Sequence, residues 1–401
     1  MDIKQIEGGV TAAMGFTAAG AACGVKKSGA LDVALVASEP AAKAYAMFTT
    51  NTVKAAPVIV SISRNGGRIG GVVISSGNAN ACTGTQGIDD AEAMCAAAAK
   101  ACGKADESFL VASTGVIGAY LPLDKILTGI ETAGQSLSRG GNRAAAAAIM
   151  TTDTVIKESA VEVVIGRRTV RIGGMAKGVG MIAPNMATMI AAVTTDADIC
   201  RHALEEATRA AVETSFNCVT IDGDMSTNDT VFVLANGAAG NTHILRQTKA
   251  AETFQAGLAA VMADLAEKMV RDGEEATKFV RVSVTGADCY ATAKKVAMKV
   301  AESLLVKCAL FGTDANWGRI AAAAGAADAD FDPQRIDIAI NGLRIMRDGG
   351  AAIEDQAALD KTMKERDIQI VVDLKQGSAA ASVLTTDLSV GYVKFNAHYR
   401  T

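Results

Sequence analysis

Residues Gly173–Asp196, GGMAKGVGMIAPNMATMIAAVTTD, hold the stretch around which the chain is organised. The left half is rich in glycine and has one proline, so its backbone can make close approaches that bulkier residues refuse. The right half, Thr188-Met189-Ile190-Ala191-Ala192-Val193, is a short apolar run of the kind that becomes a strand buried on both faces. A loop therefore feeds a strand, and the junction residue is a threonine. On residue type alone, such a loop is usually only a loop and such a threonine an ordinary strand residue. A second reading makes Thr188 a fixed nucleophile. Were the Ala187–Thr188 bond cut, Thr188 would gain an α-amino group with a reference pKa of about 7.7–8.0, suited to act as general base for its own hydroxyl.

Working outward, the composition narrows the class. The 401 residues suffice for two or three domains, half of them are apolar, and aromatics make up only 4%, so packing must rely on Ala, Val, Ile and Met. A net charge of −4 with no basic block argues against a nucleic-acid partner. The opening MDIKQIEGGVTAAMGF lacks a signal-peptide pattern, and no apolar run is long enough to span a membrane. The eight cysteines are scattered without a CxxC pair, which fits reduced, mostly buried thiols in a cytoplasmic protein. The three histidines, His202, His243 and His398, lie far apart and suggest neither a zinc site nor a Ser-His-Asp triad. No metal and no organic cofactor is expected.

Taken in order, Leu31–Ala37, Ala44–Phe48, Pro57–Ile62 and Gly71–Ser76 read as strands. Gly77–Gly87 is a loop that opens a helix near Asp89–Lys100 and lacks the ending of a nucleotide P-loop. Ser108–Ser113 reads as a strand that ends in the turn Thr114-Gly115, and Pro122 starts a helix. A Thr-Gly turn there can aim an N–H and a hydroxyl at one point, as an oxyanion hole requires, although an ordinary turn is the plainer reading. An Ala-rich helix over Asn142–Met150 leads to Thr151-Thr152-Asp153-Thr154, a helix-to-strand cap. Val161–Ile165 and Thr169–Ile172 read as a hairpin delivering the glycine-rich loop with Lys177.

Beyond the central run, Asp198 is a candidate cap for a helix with Ile199, Ala203, Leu204, Ala207 and Ala211 on one face. Asn217–Gly237 reads as strand, acidic turn, strand. Its Asp222, Asp224 and Asp229 lack the EF-hand pattern, so turn and cap roles are favoured over calcium. Ala250–Val270 is a helix with Phe254, Leu258, Val261, Met262, Leu265 and Met269 on a core face, followed by a strand at Phe279–Val284. A helix (Ala291–Leu304) and a strand precede Phe311–Gly325, FGTDANWGRIAAAAG, read as packing near the site. Asn341-Gly342 between apolar alternations marks a hairpin, and the C-terminal Tyr392–Phe395 is too apolar for a free tail. Frequent hairpin signals favour mixed sheets over a doubly wound parallel one.

KGVGMIAPNMATM followed by TTDA resembles the self-cleavage segment of the ornithine acetyltransferases, also called glutamate N-acetyltransferases. The similarity runs end to end, through GGVTAAMGF, FTTNTVKAAPV, STGVIG with LPLDKI, DGDMSTND, FGTDANWGRIAAAAG and the C-terminal segment. The resemblance implies stacked mixed β-sheets between helix layers (αββα) with a smaller α/β subdomain. It also implies cleavage into an α chain, 1–187, and a β chain, 188–401, intertwined in one catalytic unit and paired as an α2β2 heterotetramer. By that likeness Thr188 takes acetyl from N-acetylornithine, releases ornithine, and passes the acetyl to glutamate to give N-acetylglutamate in arginine biosynthesis. Thr114 and Gly115 inherit the oxyanion hole; Thr151, Lys177, Glu274, Asn396 and Thr401 inherit substrate contacts. The sequence leaves open acetyl-CoA as a second donor. It departs from the usual GEGATK pattern by having Glu275 in place of glycine, and His398 stands where an acidic residue is more usual. Two other readings stay in view: a self-cleaving aminopeptidase that hydrolyses its acyl-enzyme, and an uncleaved binding protein.

Overall fold

The computed structural model describes residues 2–104, 108–183 and 189–398. In chain order the first half supplies β1 (Ile3–Ile6), β2 (Phe16–Ala21), β3 (Val33–Phe48), α1 (Ala56–Arg64), β4 (Arg68–Asn78), α2 (Gly84–Ala101), β5 (Ser108–Val116), α3 (Leu123–Gln135), α4 (Asn142–Ala148), β6 (Lys157–Ile165) and β7 (Arg168–Lys177). Next come β8 (Ile190–Thr195), α5 (Arg201–Glu213), β9 (Thr230–Ala235), α6 (Lys249–Arg271), β10 (Phe279–Ala287), α7 (Tyr290–Ala301), α8 (Leu304–Phe311) and α9 (Trp317–Gly325). The chain closes with β11 (Asp337–Ile340), β12 (Leu343–Arg347), β13 (Gly350–Ala351), α10 (Gln356–Thr362), β14 (Asp367–Asp373), β15 (Ala379–Thr386) and α11 (Val390–His398).

A nine-stranded mixed sheet runs β1-β6-β7-β8-β9-β3-β4-β5, with β2 also paired to β3. The 16-residue β3 folds this sheet over itself: residues 33–37 pair with β2 and β4, and residues 43–48 pair with β9. Period-two alternation sorts the side chains into layers. Ala34, Val36, Ile74, Leu110, Ile190, Ala192, Phe232 and Leu234 meet in an inner core between the two halves of the sheet. From the alternate positions, Val193, Val231 and Val233 pack outward with α5 and α6, while Leu35, Val73 and Val111 pack outward with α2 and α3. The result is the expected stack of helices, sheet, sheet and helices. A six-stranded sheet, β13-β12-β11-β14-β10-β15, forms its own core with α7 and α9 and is the smaller subdomain.

Several elements differ from their sequence reading. Pro57–Ile62 is helical, not extended: Pro57 sits in the first turn of α1, where its missing N–H costs nothing, and packing overrides the β-branched run. Leu31–Ala37, from Val33 onward, and Ala44–Phe48 belong to one strand, β3. Asp198 does not cap α5; Cys200 does, its sulfur accepting from the Ala203 N–H. The first part of Asn217–Gly237 is a 3-10 turn and loop with one bridge to Leu384, not a strand. The strand expected before Phe311 is helix α8, and Trp317 packs into the six-stranded sheet's core, away from the site. Among the described residues no cysteine forms a disulfide, and of the eight only Cys95 and Cys218 are buried. The Asn341-Gly342 hairpin is as expected, with φ of 45° and 81°.

Candidate active site

The strand β8 starts beside two neighbours. Ile190 pairs with Lys177, the last residue of antiparallel β7, and with Thr230, the first of parallel β9. Lys177 is therefore a strand residue, 3% exposed, and not the solvated loop lysine its glycine-rich surroundings suggest. A cavity of about 430 Å³ opens here. Thr114, Gly115, Thr151, Lys177, Glu274 and Asn396 all line it, although 282 positions separate the first from the last (396 − 114). Ala187, Thr188 and Thr401, the remaining expected site residues, lie outside the described residues.

Thr114 and Gly115 lie in the last three residues of β5, in register with Ser76 and Gly77 of β4. Gly115 has φ +132°, and a Cβ there would come within 2.3 Å of the Gly77 carbonyl carbon. Only glycine fits that crossing. The Thr114 hydroxyl lies 3.5 Å from Lys177 Nζ. Burial pulls the Lys177 ammonium below the ordinary lysine range, against the opposing field of Asp153.

Asp153 and Lys157 form the buried charge pair under this floor. Lys157 Nζ bonds Asp153 and Asp272, and Asp153 also accepts from the Gly178 N–H at 2.9 Å and the Thr151 N–H at 3.1 Å. Burial raises the Asp153 carboxyl, but Lys177, Lys157 and that Gly178 bond outweigh it and hold it below the usual carboxylate range.

Glu274 faces the cavity, accepting from Thr152 Oγ1 at 2.6 Å and Asn396 Nδ2 at 3.2 Å. Gly180 leaves room for it, since a Cβ there would meet Glu274 Oε2 at 2.4 Å. Glu275 turns outward in the left-handed region, φ +53°, which explains why glycine suits that position. Helix α11 brings in Asn396 and Tyr392.

Four side chains the sequence reading did not assign to the site complete it. Asp153 carries the floor. Asn228 donates to Ala79 O at 2.6 Å and Ser113 O at 2.8 Å, fixing the strand ends that present Thr114. Asp222 and Tyr392 form the far wall, 2.9 Å apart. Each works by bonding backbone or a neighbour, a role that carries no spacing signal. Asp222 and Asp229 do take up backbone N–H groups, at Met181, Ile182 and Met189, as a cap reading expects. Among the described residues, no cluster of three or more metal-ligating side chains occurs, and no helix is long and apolar enough to cross a membrane.

The model of the ArgJ family matches residues 17–401. The chain belongs to the ArgJ family. It is 49% identical to the arginine biosynthesis bifunctional protein ArgJ of Symbiobacterium thermophilum, with all of both chains covered. It is 46% identical to the protein of the same name from Geobacter sulfurreducens, over 96% of this chain and 99% of that one. The crystal structure of the arginine biosynthesis bifunctional protein from Bacillus halodurans is 37% identical with a TM-score of 0.50, covering 51% of this chain and 97% of the solved chain.

Proposed function

We propose that this protein is a self-cleaving acetyltransferase of arginine biosynthesis that carries acetyl on Thr188. The observation that carries the reading is the convergence of Thr114, Gly115, Thr151, Lys177, Glu274 and Asn396 on one cavity at the start of β8. Cleavage before Thr188 divides the chain into 1–187 and 188–401. The coverage figures support that division, because nearly all of the solved Bacillus halodurans chain matches only half of this one.

In the precursor, the Thr188 hydroxyl attacks the Ala187 carbonyl, the amide bond breaks with proton transfer to the leaving nitrogen, and water hydrolyses the resulting ester. The freed amine then serves as base for the hydroxyl. In the transfer, Thr188 attacks the acetyl carbonyl of N-acetylornithine, with Thr114 and Gly115 as oxyanion donors, a contribution of about 2.7–4 kcal/mol per donor. Ornithine leaves with the proton, and the amine of glutamate takes the acetyl group from the ester. Lys177 faces the amino-acid carboxylate and Glu274 an ammonium, while Thr151, Asn396 and Thr401 complete the pocket. The bifunctional names of the relatives support acetyl-CoA as a second donor. The working form is an α2β2 assembly in the cytoplasm.

Denaturing intact mass of the purified protein beside Thr188→Ala tests the first half. Two fragments meeting before Thr188 in the wild type, and one full-length chain in the variant, are expected. Transfer of labelled acetyl from N-acetylornithine to glutamate, against release to water, tests the second half. Release to water alone would make the protein a hydrolase.

A further inference from the structure

Asp222 stands where two parts of the site meet. On one side its carboxylate accepts from the Met181 N–H at 2.6 Å and the Ile182 N–H at 2.8 Å. Met181 has φ +55°, a left-handed conformation that a non-glycine residue keeps only when its surroundings enforce it. The neighbouring chain pins the same segment, with the Ile221 N–H donating to Ile182 O at 2.9 Å. This is the backbone that leads toward the Ala187–Thr188 bond.

On the other side, Tyr392 Oη donates to Asp222 at 2.9 Å. Tyr392 and Asn396 lie one turn apart on α11, and Asn396 Nδ2 reaches Glu274 at 3.2 Å. The Glu274 N–H returns to Val179 O at 2.9 Å, closing a ring of contacts around one wall of the cavity. No residue of α11 is buried, so side-chain hydrogen bonds hold it in place more than core packing does. Burial, with Asp222 alongside, pushes the Tyr392 phenol above its usual range, so it remains a donor.

We propose that Asp222 is a positioning residue that couples the cleavage segment to the substrate-binding helix: it sets the backbone at Met181 and Ile182 and, through Tyr392, seats Asn396 against Glu274. The inference rests on the self-cleaving transferase reading. It implies that the two functions respond differently to the two sides of the contact.

Tyr392→Phe removes only the helix side. The variant should cleave like wild type and bind ornithine and acetylornithine about tenfold more weakly, the effect of one hydrogen bond to a charged group. Asp222→Ala removes both sides and should also slow cleavage about tenfold or more, read by intact mass over time after synthesis. Asp222→Asn, which keeps one carbonyl acceptor for the backbone N–H groups, should recover most of the cleavage rate. Ornithine affinity by calorimetry gives a readout that does not require turnover, and circular dichroism separates an unfolded variant from a misaligned one. A Tyr392→Phe affinity within twofold of wild type overturns the inference, and so does wild-type cleavage in folded Asp222→Ala. If Asp222→Ala does not fold, the affinity of Tyr392→Phe decides alone. An uncut wild-type chain would instead sink the self-cleaving reading, while Tyr392→Phe binding would still decide the helix-seating half.

Discussion

Lys157 Nζ lies 2.7 Å from Asp153, and neither side chain is exposed to solvent. The second partner of Lys157, Asp272, is 2.6 Å away and 6% exposed. The other bonds of Asp153, to the Thr151 and Gly178 N–H groups, carry this pair into the site, one residue from Lys177. A buried pair is not strong evidence of net stabilisation, because desolvation offsets much of the attraction. Breaking it is another matter, since Asp153 and Asp272 would both lose the buried cation they share. Lys157→Met should therefore cost about 3–5 kcal/mol in denaturant unfolding. A loss below about 1 kcal/mol would show that Asp153 finds another partner or takes up a proton at little cost.

Much of the fold was legible where side-chain period and turn chemistry agree. Of the run Thr188–Val193, read as a two-faced buried strand, Ile190–Val193 fall in β8, whose two faces are covered by the inner core and by α5 and α6. Pro57–Ile62 misled because Val58, Ile59, Val60 and Ile62 favour strands in isolation, whereas α1 is set by its tertiary packing, with Val58 and Val60 buried and Ile59 and Ile62 exposed. The strand expected between Leu304 and Phe311 is instead part of α8, because a short apolar run has no period of its own. The site divides along a similar line. Thr114, Lys177, Glu274 and Asn396 are assigned by resemblance alone, and one cavity brings them together. Asp153, Asn228, Asp222 and Tyr392 act on backbone groups and neighbours that only folding brings near.

Asp229 offers a test of burial energetics. Its Oδ1 accepts from the Met189 N–H at 2.9 Å, and its Oδ2 has no hydrogen-bond partner among the described residues. Burial pushes this carboxyl well above the usual range, against the Met189 bond and the field of Lys177. A carboxyl whose folded pKa is raised binds its proton more tightly when folded, so it costs stability progressively as pH rises from the unfolded pKa, about 3.9, toward the folded one. Asp229→Asn removes that titration. The stability of the variant relative to wild type should rise through the pH range above about 4. A difference that stays flat across that range would show that Asp229 has the same proton affinity folded and unfolded.

The adjacent carboxylates Glu274 and Glu275 should behave in opposite ways. Glu275 holds φ +53° and is exposed. Glu275→Gly relieves the left-handed conformation, worth about 1–2 kcal/mol, and gives back part of it as unfolded-chain entropy. A net gain of about 0.5–1 kcal/mol with unchanged KM for acetylornithine is expected. Glu274→Gln leaves the fold in place, yet removes the charge that Thr152 and Asn396 orient into the cavity. Its KM should rise about tenfold or more, the value of a charged hydrogen bond. Equal KM values for the two variants would reassign the ammonium site.

Thr114→Val isolates the oxyanion assignment, because valine keeps the branched shape at the end of β5 and discards only the hydroxyl. The backbone around it is held independently, by pairing with β4 and by Asn228 on Ser113 O, so the strand end should survive the change. If the hydroxyl stabilises charge that develops on the acetyl oxygen, its loss acts on the transition state and not on substrate binding. The expected signature is a kcat lower by about 10²–10³ with KM within about threefold. The same donor would serve the Ala187 carbonyl during self-cleavage, so maturation of Thr114→Val should slow as well, and time-resolved intact mass would show it. A kcat within threefold of wild type would assign the Thr114 hydroxyl, 3.5 Å from Lys177 Nζ, to holding that ammonium in place. The oxyanion would then fall to backbone N–H groups such as that of Gly115.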